Sequence, residues 1–380
     1  MKYFCVYDII ESGICPVLFF VWCIRRDRLK NLKLAAVCLS CLTMTGCSAL
    51  NFSVEGLINA PKLTSEQSEI HQALIESVGS NITLKYPKNG EYRSAYVIAN
   101  IDDEPTDEAM VFYEYTSNGS EEDGLRVNIL DKDEKGKWYS VKELAGAGTD
   151  IDQVIISPMG SNNQTDVFVG YQNLTNDEKT MEIYSYTDGD FKRVALDTYS
   201  VLEPLDINND GYIELITIQR STNNDTGVVT AKASMLNMKN NEITRGENVD
   251  MCDNVTSYVS SKTGMLDSGR RAIFIDGLTA DGKLQTEIIY YRYSGLQNPM
   301  QLRSEKLLPL CTRPAGYYSE DMDGDGDVEI PSTSPMVGYE NAVADEMLYM
   351  TTWSVYEDFY DLKTKYTGYY LSLIHISEPT

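Results

Sequence analysis

Two short loops carry oxygen ligands at matched intervals. The first sets Asp206, Asn208, Asp210 and Glu214 at positions 1, 3, 5 and 9, with Gly211 at position 6. The second repeats the pattern with Asp321, Asp323, Asp325 and Glu329, and Gly326 at position 6. Carboxylates and carboxamides are hard ligands, and about six to eight such oxygens suit Ca2+. A loop that curls around the ion brings positions 1, 3 and 5 together, the glycine permits the sharp turn, and the glutamate closes the shell. The backbone carbonyl at position 7, of Tyr212 or Asp327, adds a further ligand. Ca2+ is therefore the expected cofactor. The loops are not EF-hands, because a glutamate at position 12 and flanking helices are missing and extended sequence follows each one. A degenerate copy sits at Asn100, Asp102, Glu104 and Glu108, where Pro105 replaces the glycine and weighs against a cation.

Other chemistry finds little support. The chain holds two histidines, His71 and His375, so a histidine base with a serine or cysteine nucleophile has almost no candidates. Gly-x-Ser-x-Gly and P-loop patterns are missing. A glycosidase needs only two carboxylates, but among 57 acidic residues no pair stands out. The formal net charge of −25 excludes nucleic acid as a natural partner and favours cations and basic surfaces. Beyond Cys47 only Cys252 and Cys311 remain, which either pair or stay as buried thiols, and no zinc-type spacing exists.

The loops must be held by strands. Apolar and polar residues alternate in short runs separated by Gly, Asn and Asp turns, which reads as an all-β protein. One set of four is Tyr92–Ile98, Ala109–Tyr115, Leu125–Asp131 and Trp138–Leu144. The next is Gln153–Pro158, Thr165–Tyr171, Met181–Thr187 and Asp190–Leu196. A third is Ser200–Leu205, Tyr212–Gln219, Val228–Met235 and Glu242–Val249, and a fourth is Thr256–Ser260, Arg271–Leu278, Glu287–Tyr293 and Leu302–Leu308. Glu329–Ser332 and Leu348–Glu357 open a fifth. A return at roughly 50 residues is the period of propeller blades. About five blades are visible in residues 80–371, and about six or seven are expected in the full protein; β-sandwich domains are the alternative. The loops starting at Asn100, Asp206 and Asp321 lie about two blades apart, at similar corners of alternate blades. Asp150, Asp152 and Asp276 are the expected remnants of worn copies between them. A helix over 64–79, capped by Thr64 or Ser65, precedes the strands, with Ile70, Leu74, Ile75 and Val78 at helical intervals.

The ends carry separate signals. Residues 25–47 read as a signal peptide, with Arg25, Arg26, Arg28, Lys30 and Lys33 before a short apolar run. Met44-Thr45-Gly46-Cys47 resembles the bacterial lipobox, which implies acylation of Cys47 and anchoring to membrane lipid on the extracytoplasmic face of a bacterial cell. The apolar run is too short to span a bilayer, which takes about 20 residues. Residues 48–63 read as a tether. Residues 1–24 read as a mis-set start or frame error, or else as a membrane-associated extension. Residues 372–380 resemble a translated sequencing-adapter fragment, so the propeller is expected to be truncated.

The phrases Leu205-Asp-Ile-Asn-Asn-Asp-Gly-Tyr-Ile-Glu-Leu-Ile216 and Glu320-Asp-Met-Asp-Gly-Asp-Gly-Asp-Val-Glu-Ile330 resemble the FG-GAP and VCBS-type repeats of integrin-like β-propellers. The chain is also similar to uncharacterised lipoproteins of Gram-positive gut bacteria. The resemblance implies a calcium-stabilised propeller used for extracellular recognition of protein or glycan, or as a scaffold. The Phe-Gly and Gly-Ala-Pro parts of the repeat are missing. Alternatives are a structural envelope lipoprotein and a polysaccharide-acting hydrolase or lyase using carboxylates. Tyr317, Tyr318 and Trp353 are candidate aromatic contacts.

Overall fold

The computed structural model describes residues 63–368, apart from 103, 117–123, 159–164, 174–177, 188, 223–228, 240–241, 267, 344–345 and 358–360. The leader with Cys47, the tether to residue 62 and the segment 372–380 lie outside the described residues. From Thr64 onward the described residues belong to one compact unit.

The strands form five consecutive antiparallel sheets. Blade 1 contains β1 (Ile82–Leu84), β2 (Tyr96–Ala99), β3 (Glu108–Tyr115), β4 (Leu125–Lys132) and β5 (Trp138–Ala145). Its first strand is split, since β1 and β2 pair with opposite halves of β3. Blade 2 contains β6 (Asp150–Pro158), β7 (Thr165–Gln172), β8 (Lys179–Thr187) and β9 (Asp190–Tyr199). Blade 3 contains β10 (Val201–Leu205), β11 (Glu214–Thr222), β12 (Val229–Lys239) and β13 (Glu242–Asp250). Blade 4 contains β14 (Val255–Met265), β15 (Arg271–Thr279), β16 (Lys283–Arg292), β17 (Gly295–Gln297) and β18 (Thr312–Pro314). Blade 5 contains β19 (Ile330–Pro335), β20 (Tyr349–Glu357) and β21 (Asp361–Gly368), with a first strand reduced to an antiparallel bridge between Glu320 and Glu329.

Side-chain alternation stacks these sheets face to face. On β3, Met110 and Phe112 pack toward blade 2, while Ala109, Val111 and Tyr113 point the other way. On β7, Val167 and Val169 meet blade 1 and Phe168 meets blade 3. On β11, Leu215 meets blade 2 while Ile216 and Ile218 meet blade 4. On β15, Ile273 and Ile275 meet blade 3, and Ala272 and Phe274 meet blade 5. First strands lie next to one another, as β10 does to β14. The arrangement is an all-β propeller of five described blades.

Helix α1 (Ser65–Val78) covers the free face of blade 1 against β4 and β5, burying Ile70, Ala73 and Leu74. Thr64 Oγ1 accepts from the Gln67 N–H at 3.1 Å, and the Gln67 side chain accepts from the Thr64 N–H at 3.1 Å. This reciprocal pair satisfies two donors that the first turn leaves open. Among the described residues no helix is long and apolar enough to cross a membrane.

The fourth strand of blade 4 departs from expectation. Leu302–Leu308 is helical, divided between α2 (Pro299–Leu302) and α3 (Ser304–Cys311). Asn298 caps the first turn by accepting from the Met300 N–H, and Pro299 at the first helical position favours the same turn. Leu307 and Cys311, four apart, then bury one helical face. The short strands β17 and β18 on either side pair with opposite halves of β16. Cys252 and Cys311 are buried free thiols in the layer between blades 4 and 5.

A buried ion pair inside blade 4 holds the chain that leads into blade 5. Arg313 and Asp276 are both essentially inaccessible and meet at 2.8 Å. Arg313 also donates to Thr286 Oγ1 and to the carbonyls of Cys311 and Tyr317. Asp276 accepts from the N–H and hydroxyl of Ser319 at 2.7 and 2.9 Å. Arg313→Leu strands the Asp276 charge without a counterion, so urea unfolding is expected to show a loss of about 3–5 kcal/mol. A loss below about 1 kcal/mol would mean that the network is not structural.

Candidate functional site

The two acidic loops fold as one motif. Each joins the first strand of a blade to the second, and the ninth residue pairs with the residue just before the loop: Leu205 with Glu214 and Glu320 with Glu329. The carboxylate at position 1 accepts from the glycine N–H at position 6, at 3.3 Å for Asp206 and 2.9 Å for Asp321. The side chain at position 3 accepts from the N–H at position 5, and position 5 accepts from position 7. The buried glutamate at position 9 accepts from the N–H at position 2, at 3.1 Å for Glu214 and 2.8 Å for Glu329. Gly211 and Gly326 have φ of 93° and 95°, the left-handed region that a glycine enters freely. Position 4 is left-handed as well, with Asn209 at 59° and Gly324 at 76°.

The degenerate copy shares this frame. Ala99 pairs with Glu108, Ile101 N–H donates to Glu108 Oε2 at 2.9 Å, and Glu104 N–H donates to Asp102 Oδ1 at 2.7 Å. The Asn100 amide, however, donates to the Glu104 carbonyl. Its nitrogen is thereby held by the backbone of the loop itself.

The three loops belong to blades 1, 3 and 5, and the turn of blade 4 touches both neighbours. Arg271 Nη1 lies 3.4 Å from Asp206 Oδ2, and Met265 N–H donates to the Gly326 carbonyl at 2.9 Å. Asp150, Asp152 and Asp276 are not worn copies of the loop. Asp150 and Asp152 lie on β6, and Asp276 lies on β15 in the buried ion pair. The corresponding turn of blade 4 is Leu266–Arg270, and that of blade 2 lies outside the described residues.

The two full loops differ at their centres. In blade 5, Lys365 from β21 places its ammonium 2.5 Å from Asp325 Oδ2, 2.7 Å from Glu329 Oε1 and 2.9 Å from Asp323 Oδ2. One carboxylate oxygen from each of Asp321, Asp323 and Asp325 lies within 4.8 Å of the other two. Partial burial opposes the Lys365 charge, but the bonds to Asp325, Glu329 and Asp323 outweigh it and hold the ammonium above the usual lysine range. The same contact holds Asp325 below the usual carboxylate range. In blade 3 the centre is taken by the Asn208 amide, which donates to Asp210 Oδ2 and Glu214 Oε1, each at 2.9 Å. Burial pushes Glu214 up to about 7. The blade 5 oxygens surround an ammonium and fit a divalent oxygen-seeking cation as they stand, whereas in blade 3 only Asp210 and Glu214 meet, at the Asn208 nitrogen, and the Asn208 amide would have to turn for its oxygen to join them.

A second site lies at the opposite end of the blades, where first strands begin and second strands finish. A cavity of about 370 Å3 is lined by Asp152 and Gln153 of β6, Leu202 and Glu203 of β10, and Tyr258 and Ser261 of β14. Asp152 is buried; Lys179 at 3.0 Å, the Tyr199 hydroxyl at 2.7 Å and the Asn89 amide at 2.8 Å surround it. Burial pushes its carboxyl up, but these partners, Lys179 foremost, outweigh it and hold the group below the ordinary range. Glu203 goes the other way, pushed up by burial despite a bond from the Ser261 hydroxyl. Gly170 makes the Tyr199 contact possible, since a Cβ there would fall 2.0 Å from Tyr199 Oη. No sequence pattern marks this cavity. Of the expected aromatic contacts, Trp353 is buried beside Tyr366 and serves packing, whereas Tyr318 is exposed.

No family model matches the chain, and no curated protein matches it. Among solved structures it is similar to a candidate 6-phosphogluconolactonase of Bacteroides fragilis, at 11% identity, covering 76% of this chain and 81% of that one, with a TM-score of 0.32. It is similar to a rhamnogalacturonan lyase of Bacillus licheniformis at 9% identity, covering 71% and 66%, with a TM-score of 0.32. A periplasmic gluconolactonase of Pseudomonas aeruginosa follows at 10% identity, covering 75% and 88%, with a TM-score of 0.27. Scores this low carry no argument about chemistry; the propeller assignment rests on the stacked sheets themselves.

Glu108 gives a pH signature. Burial raises it from 4.5 to about 7, with the charges of Asp102 and Asp131 adding to the effect and the Ile101 N–H opposing it. The folded state therefore keeps a proton that the unfolded state has released, and stability falls as pH rises from 4.5 to about 7. Glu108→Gln keeps an acceptor for Ile101. With chelator present it is expected to melt about 2–4 °C above the wild type at pH 8 and level with it at pH 4.5. A variant that melts lower at pH 8 would contradict this assignment.

Proposed function

We propose that the chain is a calcium-stabilised β-propeller held on the outer side of a bacterial membrane by acylated Cys47, acting as a recognition module for protein or glycan. The observation that carries the calcium part is the gathering of Asp323, Asp325 and Glu329 around one ammonium in blade 5, on a loop frame repeated in blade 3. Asp206, Asn208, Asp210 and Glu214 would hold one ion, and Asp321, Asp323, Asp325 and Glu329 the other, with the Tyr212 and Asp327 carbonyls completing each shell. The ion supplies charge compensation to a chain of formal net charge −25 and pins the turn between first and second strands. The FG-GAP and VCBS resemblance supports an extracellular recognition role. The lipobox resemblance supports the anchor.

One observation favours a second reading, a polysaccharide-acting enzyme. Asp152 and Glu203 line one cavity and are driven in opposite directions, Asp152 downward and Glu203 upward. Two carboxyl groups pushed apart in this way suit a base and an acid.

Protein stripped with a chelator should gain thermal stability when Ca2+ is restored. One site filled at about 100 times its Kd adds about 2.7 kcal/mol, a rise of several degrees. The Asp206→Ala plus Asp321→Ala variant should lose that rise, and Lys365→Met, which removes the competing ammonium, should enlarge the contribution of the blade 5 loop. No rise, or an undiminished rise in the double variant, would sink the calcium assignment. For the anchor, Cys47→Ala expressed in a Gram-positive host should move from the membrane fraction to the medium. Retention in the membrane fraction would count against lipidation.

A further inference from the structure

The cavity at the strand-one end has a second lobe of about 420 Å3, which shares Lys179, Ser200 and Tyr258 with the first. Each lobe falls within the range of ligand sites, about 300–1,000 Å3. Arg220 enters the second lobe from β11. Three donors of residues lining it, Ser200 Oγ, Arg220 Nε and Tyr258 Oη, are shielded from bulk water and have no hydrogen-bond partner. A donor left in that state costs about 1–3 kcal/mol. All three belong to side chains that line one cavity, where a small turn of each side chain would bring the donor to an acceptor oxygen of a ligand.

Charge points the same way. In a strongly acidic chain, this cavity brings together Lys179, Arg220 and Lys262. The first lobe is different in kind, with Asp152, Gln153, Glu203 and Asn89 offering mainly acceptors and amides. One lobe thus suits an anionic group and the other suits hydroxyls. We propose that the two-lobed cavity binds a sugar acid, its carboxylate held by Arg220 and Lys179 with the Ser200 and Tyr258 hydroxyls, its ring hydroxyls set against Asp152, Gln153 and Glu203. A neutral sugar leaves the guanidinium without a counterion, and a simple anion leaves the first lobe unused. Burial of Glu203 helps, because its raised pKa lowers the repulsion an anionic ligand meets. The inference rests on the glycan-recognition reading and adds to it a location and a ligand class.

The test is calorimetric titration of the full chain, in calcium-containing buffer, with digalacturonate, with the neutral digalactoside and with acetate. Digalacturonate is expected to bind at least about tenfold more tightly than either control. Arg220→Gln is expected to weaken it by about tenfold or more, as loss of a charge-assisted bond implies. Tyr258→Phe, which keeps the ring and its packing, is expected to weaken it about three- to tenfold at a melting temperature no lower than the wild type's. Should Arg220→Gln melt early, Tyr258→Phe alone decides. Equal binding of the neutral sugar, or unchanged affinity in Tyr258→Phe, overturns the sugar-acid site and leaves glycan recognition standing. Acetate binding as tightly as digalacturonate overturns the role of the sugar hydroxyls. Binding of no saccharide at all overturns both the site and the glycan reading.

Discussion

The second strand of each of blades 1 to 4 is apolar on both faces, and much of the molecule follows from that requirement. Ile216 and Leu215, or Phe274 and Ile273, are neighbours in sequence that point to opposite sides of one sheet. A lone four-stranded sheet of this kind would expose two apolar faces to water, at about 25 cal/mol for each Å2 left unburied. Stacking solves this for blades 2, 3 and 4, each of which has a blade on either side. Blade 1 uses α1 in place of one neighbour. Because the stack brings first strands side by side, residues from β6, β10 and β14 come to line one cavity.

The acidic loops sit on this frame rather than create it. Their turns are held by the bond from position 2 to the glutamate at position 9, and that bond is present even in blade 1, where Pro105 stands at position 6 and a left-handed glycine is impossible. The geometry of the turn is thus older in the hierarchy than the cation. What the loop adds is a cluster of carboxylates that must be neutralised. Blade 5 does so with Lys365, brought from β21, while blade 3 relies on the Asn208 amide and on Arg271 at its edge. Calcium would enter blade 3 against less competition than blade 5. The acidic loops and the cavity occupy opposite ends of the blades.

Much of the fold was legible in the residues because its signals are local. Alternation in runs such as Ala109–Tyr115, turn residues between them and the Thr64–Gln67 cap all act within a few residues. The Asp-x-Asn-x-Asp-Gly spacing belongs to the same class, and its recurrence in alternate blades matches the register of the three loops. Leu302–Leu308 was misleading because Asn298 and Pro299 just upstream start a helix, and the apolar residues fit either period. Asp276 looked like a relic of a loop, although its partner Arg313 lies 37 residues away. The cavity was invisible for the same reason. Asp152, Lys179, Arg220 and Tyr258 come from three blades, and only the stack brings them together.

The central claim is that the loops of alternate blades are cation seats of graded quality on a shared turn. Equilibrium binding of radioactive calcium to chelator-stripped protein counts those seats directly. The account predicts saturation at about two ions per chain, with the tighter site lost in Asp206→Ala and the weaker one in Asp321→Ala. Saturation that includes a third ion at the Pro105 loop, or the absence of any bound calcium at millimolar concentration, would contradict it.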